Sequence, residues 1–314
     1  MLSNRQLRKL VRKVYGVNSQ YAKNIKQAYK RAEREIKGEI SQFIASGDSW
    51  SGKASKDDIE EIKGQLQRLN DDDVRPLVSI FDKALTLGHP KNSDVETARI
   101  AVPMINVAKQ QHQWIRRLAG WVPQKVQQAS HQQAQVTPSY HRLPPNYDVM
   151  LQRTVSRQVT SYSANSNQIN GNIQTTINRI RKVAQVAATN TDAKIDWPKK
   201  VDRILTGNNV SDGASGTATR IIRTQACRYL CKGMVSDFKA RGVRQYTFLS
   251  LEAENTCADC AEMDGDTFDV DDAQEGVNLP PMHPNCQCII KEVEETDTDD
   301  MPSVDDLMET EDDL

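Results

Sequence analysis

The first 44 residues carry an apolar stripe at helical spacing. Apolar or small side chains recur every three or four positions, and lysines and arginines occupy many of the positions between them. The stripe comprises Leu7, Leu10, Val11, Val14, Tyr21, Ile25, Ala28, Ala32, Ile36, Ile40 and Phe43. Because Gly16 and Asn18 weaken the pattern, the segment predicts either one long amphipathic helix or two shorter ones.

A second helical block covers about residues 56–87. Proline cannot donate an amide hydrogen bond inside a helix, so we expect a break near Arg75-Pro76. Gly88-His89-Pro90 combines two residues that terminate helices and should end the block.

Residues 94–135 repeat the helical pattern, although we expect Pro103 and Pro123 to divide them. The segment is rich in glutamine, as low-complexity linkers are, but interleaved apolar residues favour a packed helix. After it, Pro138 to Pro145 breaks the chain and is a candidate linker. A further helix is predicted over residues 147–188.

The last third combines loop, helix and strand. The glycine- and asparagine-rich segment 206–216 lacks the Gly-Lys-Ser/Thr of a phosphate-binding loop and should only lead into the next helix. That helix is predicted over residues 217–241, with Gly242 as its C-terminal cap. Residues 243–251 then predict a strand.

Composition favours helices with a thin core. Hydrophobic residues make up 38% of the 314 residues and aromatic residues 5%, and the mean hydropathy is −0.65. No run of about 18 apolar residues occurs, so we expect no membrane-spanning helix. The first residues lack the apolar stretch of a signal peptide, which predicts a protein that is cytosolic when made.

Charge is distributed unevenly, although the net charge is only −1. Residues 1–40 hold eleven Lys/Arg and three Glu, a local charge of +8. We interpret this basic segment as a solvated helix face, with contact to nucleic acid or an acidic protein surface as the alternative. Residues 292–314 hold twelve Asp/Glu and no Lys/Arg, a local charge of −12, and predict a disordered tail.

All the cysteines lie in the last third: Cys227, Cys231, Cys257, Cys260, Cys286 and Cys288. In a reducing compartment, closely spaced cysteines favour metal binding over disulfides. The predicted zinc ligands are Cys257, Cys260, His283 and Cys286, and Cys288 could replace either member of the second pair. Three thiolates and one imidazole leave no open position for a catalytic water, so this donor set favours a structural ion.

The other candidate ligands are interpreted as structural. Cys227 and Cys231 lie four positions apart on one helix face, and with no further His or Cys expected nearby they are predicted to be small buried residues. A solvated face is expected for the carboxylates Asp259, Glu262, Asp264, Asp266, Asp269, Asp271 and Asp272. The remaining histidines are expected either at the surface or packed in the interior with hydrogen-bond partners: His89, His112, His131 and His141.

Four motifs in residues 217–290 occur in a characteristic order. They are Arg223-Thr224-Gln225-Ala226, Cys257-Ala258-Asp259-Cys260, Asp264-Gly265 and Pro280-Pro281-Met282-His283-Pro284-Asn285-Cys286-Gln287-Cys288. In this order they resemble the C-terminal domain of phage minor head proteins, the Mu F-like head-morphogenesis family. The family pattern has Glu at Gln225, Arg at Gln287 and one more residue before Ala226, but every metal ligand is kept.

This resemblance implies a low-copy structural protein that binds the phage portal protein or the inner capsid surface. It would act in head morphogenesis and in genome packaging or delivery, and its basic N-terminal helix could contact packaged DNA. The expected location is the virion, at the capsid interior or portal vertex, after assembly in the host cytoplasm.

Two other function classes compete with this one. A zinc-containing nucleic-acid-binding protein fits the Cys/His site, but few aromatic residues suited to base stacking lie near it. A prophage-encoded toxin or enzyme is disfavoured, because the His-x-Glu of zinc deaminases and the His-Glu-x-x-His of metalloproteases are both absent. We therefore expect a protein without enzymatic activity.

The predicted fold is mainly α-helical, with long amphipathic helices in the N-terminal part and a small α+β zinc-binding domain near the C terminus. We expect a helical region over residues 1–135 and a linker with further helices over 136–200. The Mu F-like domain should span 201–291, and the acidic tail 292–314.

Overall fold

The computed structural model describes residues 2–136, 143–190, 196–208, 213–250 and 257–293, although the side chains of residues 136 and 158–166 are not among those described. Most of the predicted linker Pro138–Pro145, His141 and the acidic tail beyond residue 293 lie outside the described residues. In the part that is described, no helix has a stretch long and apolar enough to cross a lipid bilayer.

The helices are α1 (Asn4–Ser46), α2 (Lys56–Leu69), α3 (Arg75–Thr86), α4 (Asn92–Val136), α5 (Tyr147–Thr189), α6 (Trp197–Leu205), α7 (Gly213–Arg241) and α8 (Ala258–Glu262). The strands are β1 (Gln245–Leu249), β2 (Thr267–Asp269) and β3 (Ile289–Glu292). β1 lies in the middle of the sheet and pairs antiparallel with both neighbours. A mainly helical protein with a small sheet near the C-terminal end is thus confirmed.

α1 is one continuous helix. Its predicted apolar stripe is buried except for Tyr21, and Tyr15 and Tyr29 are buried with it. A methyl group at Gly16 would meet no atom within 4 Å, so this glycine lies on an open part of the helix surface. The stripe is buried both before and after Gly16, and this burial stabilises the helix by more than the roughly 1 kcal/mol that a glycine costs inside it.

The predicted break at Arg75-Pro76 is confirmed by the separation of α2 from α3, but the predicted division of α4 is wrong. α4 continues through Pro103 and Pro123, and both prolines are buried. At the second proline, α7 offers Gly233, where a Cβ atom would lie 3.5 Å from the Pro123 Cα. At Pro123, close packing of this kind offsets the hydrogen bond that the proline removes from the helix.

Packing groups the chain into two compact units, each assembled from distant segments. Unit 1 comprises residues 1–21, 115–162 and 220–314, and unit 2 comprises residues 22–114 and 163–219. α1, α4, α5 and α7 each contribute residues to both units. The sequential domain boundaries expected from the sequence stay a prediction, because compact packing does not reveal which segments fold independently.

Unit 1 contains the sheet and a buried ionic network. The Arg241 guanidinium, at the end of α7, donates to Asp237 at 2.7 and 3.0 Å and to Glu292 of β3 at 2.5 Å. The Tyr147 hydroxyl also donates to Asp237, and the backbone N–H of Leu2 donates to Glu292 at 2.8 Å. Burial disfavours the charged guanidinium, but the two carboxylates reverse this effect and raise the pKa of Arg241.

Unit 2 has a core of helices joined by buried polar contacts. The His112 ring lies 3.1 Å from the Asn170 side-chain oxygen, and the Asn170 amide donates to the Asp73 carbonyl at 2.9 Å. Since His112 is fully buried and hydrogen-bonded, its expected role as a satisfied packing residue is consistent with its surroundings.

Candidate metal centre

The Cys257–Cys260 turn forms the first arm of the site. Cys257 is the N-cap of α8, and its Sγ accepts the backbone N–H of Cys260 at 3.4 Å. This local bond positions the first sulfur over the start of the helix, and the helical turn brings the second sulfur to the same side. The turn predicted from Cys-x-x-Cys is therefore built by a short helix, which the spacing of the cysteines alone did not predict.

The second arm, residues 280–288, is held by α7. Asn285 adopts a left-handed backbone conformation with φ of 73°, and its N–H donates to the Thr224 hydroxyl at 2.8 Å. The Arg223 guanidinium donates to the Asn285 side-chain oxygen at 3.3 Å. Two residues of the Arg-Thr motif in α7 therefore fix the turn that carries His283 and Cys286.

The two arms bring all five predicted ligands into overlapping groups. Donor atoms of Cys257, Cys260 and His283 lie within 4.8 Å of one another, and so do those of Cys260, Cys286 and Cys288. Cys260 belongs to both groups. Cys260, Cys286 and Cys288 are buried, whereas Cys257 and His283 are half-buried.

His283 has a hydrogen bond that suits a metal ligand. Its Nδ1 lies 3.0 Å from the Pro284 carbonyl oxygen. Because a carbonyl can only accept, this contact places the proton on Nδ1 and leaves the Nε2 lone pair for a metal. Metal-binding histidines commonly show this second hydrogen bond, which fixes the tautomer and the orientation of the ring.

The thiols have opposed electrostatic environments. Burial and the neighbouring Cys286 raise the pKa of Cys260 to about 12. Hydrogen bonds from Cys227 and Cys288 lower the pKa of Cys286, which makes it the preferred thiolate of the cluster. A bound divalent cation would stabilise the other thiols as thiolates too, and several sulfurs with one imidazole are donors that zinc accepts well. The residues present therefore fit a metal ion.

Cys227 and Cys231 lie close to other cysteines, although the sequence predicted none near them. Both are fully buried, as expected, but their Sγ atoms lie 3.3 and 3.7 Å from the Cys288 carbonyl oxygen, and Cys227 also contacts the Cys286 thiol. The expectation that no cysteine lies near them is wrong, because α7 packs directly on the second arm. The sequence feature that could have indicated this contact is the i, i+4 spacing of the two cysteines, which places both on one buried face of α7.

Side chains from other elements enclose the cluster. Tyr15 of α1 is buried, and its hydroxyl donates to the Gln287 carbonyl at 2.7 Å. The carboxylates around the cluster are mostly exposed, which agrees with the expected solvated face. One of them has a structural role, since Asp264 accepts the Ser250 N–H at 2.6 Å. The arrangement therefore suits an ion that holds two chain segments together.

The segment that contains the cysteine cluster resembles a known protein family. Residues 170–291 match the family model described as Phage Mu protein F like protein, from within α5 to β3. No curated protein and no solved structure matches the chain. The match indicates a head-related phage protein, and it begins well upstream of residue 217, where the resemblance of the motifs begins. Residues 170–291 thus form the Mu F-like part of this chain, and the resemblance indicated by the motifs is confirmed.

Proposed function

We propose that the chain is a structural minor head protein of a tailed phage. It binds the portal protein or the inner capsid surface, acts in head morphogenesis and in genome packaging or delivery, and remains in the virion. The observation that carries this proposal is the family match over residues 170–291, which includes the whole Cys/His cluster. A donor set of three thiolates and one imidazole, which leaves no open ligand position, supports a role without catalysis.

The metal in this proposal is a structural zinc ion. Cys257, Cys260, His283 and Cys286 or Cys288 would hold it, and it would join the two arms of the site. Residues 261–283 contain few buried apolar side chains, so the ion would supply much of the folding energy of this segment.

The helical region is proposed to carry most of the portal-binding surface. In unit 2, Ile80 of α3 and Leu87 at its C-cap keep 46% and 71% of their surface exposed. They are seven positions apart and hence on one side of the helix, which is the spacing of an apolar docking face. No other element of the described part of the chain pairs two side chains of this size and exposure at helical spacing.

Co-expression with the portal protein tests this role. Fragments are unsuitable, because a cut near residue 200 would divide both units. We expect Ile80→Glu with Leu87→Glu in the full chain to reduce co-purification at least tenfold. Val277→Glu, at a residue of unit 1 that is 57% exposed, is the matched control and should bind normally. Loss of binding in the Val277→Glu control alone would place the portal-binding surface in unit 1 instead of unit 2. An intact protein that cuts DNA without binding the portal protein would refute the structural function.

Contact with DNA is a second proposed property, favoured by one surface of unit 1. Residues 4–21 of α1 and 115–136 of α4 contain eight Lys/Arg and no Asp/Glu. Lys9, Lys13 and Lys125 line a shallow groove of about 160 Å³ between these two helices. Such a one-sign surface suits the phosphate backbone of DNA, whose binding releases counterions and depends strongly on salt.

Fluorescence anisotropy with duplex DNA tests this contact. Changing Lys9, Lys13 and Lys125 to Gln should weaken binding and reduce the salt dependence by about 0.9 in log–log slope for each lost phosphate contact. The control changes three exposed lysines of unit 2, Lys53, Lys56 and Lys83, to Gln. Equal losses in both variants would mean that the groove has no special role.

A further inference from the structure

The thiols of α7 form a second half-site against the second arm of the metal centre. The Sγ atoms of Cys227 and Cys231 lie 3.3 and 3.7 Å from one oxygen, the Cys288 carbonyl, so both sulfurs point to the same place. Cys227 also forms hydrogen bonds with the thiols of Cys231 and Cys286. Helical spacing of i, i+4 is what allows two side chains of one helix to converge in this way.

Cys286 connects this half-site with the five predicted ligands. It contacts Cys227 on one side and shares a donor group with Cys260 and Cys288 on the other. The sulfurs therefore form a continuous series, from α7 through the second arm to the Cys257–Cys260 turn. Among the described residues all six cysteines are free thiols, and five of them are buried.

We propose that these seven side chains form a two-metal thiolate cluster with Cys286 as the bridging ligand. One ion is held by Cys257, Cys260, His283 and Cys286. The second ion is held by Cys227, Cys231, Cys286 and Cys288. This inference rests on the proposed zinc site and extends it to the two cysteines of α7, which the family motif does not include.

The number of donors agrees with this assignment. Two tetrahedral zinc ions need eight coordination positions. Six cysteines and one histidine supply seven donors, so a single bridging thiolate completes both shells. With zinc–sulfur bonds of about 2.3 Å, sulfurs on one tetrahedral ion lie roughly 3.8 Å apart. Three ligands of the first ion, Cys257, Cys260 and His283, already lie within 4.8 Å of one another. For the second ion, Cys227 contacts both Cys231 and Cys286.

The surroundings of the second half-site also suit a buried ion. Tyr15 of α1 and Tyr246 of β1 are buried, and both lie near enough to these thiols to interact with them electrostatically. An S–H group is only a weak hydrogen-bond donor, so two thiols directed at one carbonyl oxygen gain little from that contact alone. Coordination of one metal ion gives both sulfurs a stronger common partner.

Zinc stoichiometry of the intact protein tests the proposal. Elemental analysis after growth in zinc-supplemented medium should give two zinc ions per chain, and Cys227→Ser with Cys231→Ser should give one. One zinc ion in the wild-type protein would refute the second site alone, whereas none would also refute the proposed zinc site. Two zinc ions in both the wild-type protein and the variant would show that Cys227 and Cys231 are not metal ligands.

A second measurement does not depend on how well the variant folds. In wild-type protein loaded with an NMR-active cadmium isotope, we expect two cadmium resonances, one from a site with three sulfurs and a nitrogen and one from a site with four sulfurs. A single resonance would overturn the two-metal assignment.

Discussion

One arginine organises the charged side chains of unit 2. Arg99 of α4 lies 2.7 Å from Glu96, in hydrogen-bond contact with Asp58 of α2, and within 4.0 Å of Glu61 and Glu39. It thereby links α1, α2 and α4. Glu96 is only 2% exposed, and burial raises its pKa to about 7 although Arg99 acts in the opposite direction.

This pKa predicts a pH-dependent loss of stability. The folded-state pKa of Glu96 is above its ordinary value of 4.5, so between about pH 4.5 and pH 7 the folded chain holds a proton that the unfolded chain has released. The contribution of Glu96 to stability is thus present at low pH and lost as the pH rises through 7. Glu96→Gln cannot titrate, so its melting temperature relative to wild type should rise by several degrees between pH 5 and pH 8.

Thermal unfolding at a series of pH values measures this difference. Glu61→Gln is the control, because Glu61 faces the same arginine with its side chain 62% exposed. A flat difference between Glu96→Gln and wild type would show that Glu96 is charged in the folded protein throughout this range.

Local spacing predicted five metal ligands whose donor atoms the structure brings into two overlapping groups. Spacing is informative here because these residues lie on short turns whose geometry depends on neighbouring residues. Spacing could not place Cys227 and Cys231 beside them, since that contact depends on the packing of α7 against a segment about 60 positions later. The burial of Glu96 likewise depends on three helices and could not be inferred from residues 94–135 alone.

At the scale of elements, tertiary packing overrides several local signals. Gly16, Pro103 and Pro123 each weaken a helix locally, yet α1 and α4 continue through them because their apolar faces are buried on both sides. α6 was not predicted, although Asp196 caps it and Pro198 stands in its first turn, as at many helix N-termini. Its nine residues are too few to show a clear apolar period.

Glycine substitutions should have opposite effects in two elements. Gly16→Ala meets no neighbouring atom, so it should stabilise the protein by about 0.5–1 kcal/mol. Gly242, the cap of α7, has a φ of 76°, where alanine costs about 1–2 kcal/mol. Chemical denaturation of the two alanine variants measures both changes, and destabilisation by Gly16→Ala would indicate that α1 bends at this point.

At the scale of the whole molecule, the apolar pattern located the elements but not their grouping. A stripe on α1 shows which face is buried and says nothing about which helix covers it. The predicted domains follow one another along the chain and stay a prediction, while each compact unit contains segments separated by at least 48 residues. The short strands β2 and β3 were missed for a related reason, since each becomes a strand only by pairing with β1.

Metal removal should loosen one unit selectively. Chelation, or Cys257→Ser with Cys260→Ser, should speed amide hydrogen exchange across residues 257–293, because the proposed ion would join both arms of the site. Amides of α2, α3 and α6, all in unit 2, should exchange as before. Hydrogen-exchange mass spectrometry distinguishes the two regions, and equally faster exchange in α2 and α3 would contradict a local effect.

The hydrogen bond between Leu2 and Glu292 has a consequence for how the chain is made. It joins residues at opposite ends of the described chain, within the unit that also contains β3. On the ribosome, the first helical segment emerges long before its partner strand has been translated. Until residues up to 292 have been translated, the apolar stripe of residues 7–15 is exposed or bound by a chaperone. This unit therefore cannot be completed until residues up to 292 have left the ribosome, and the six cysteines come together only at that stage.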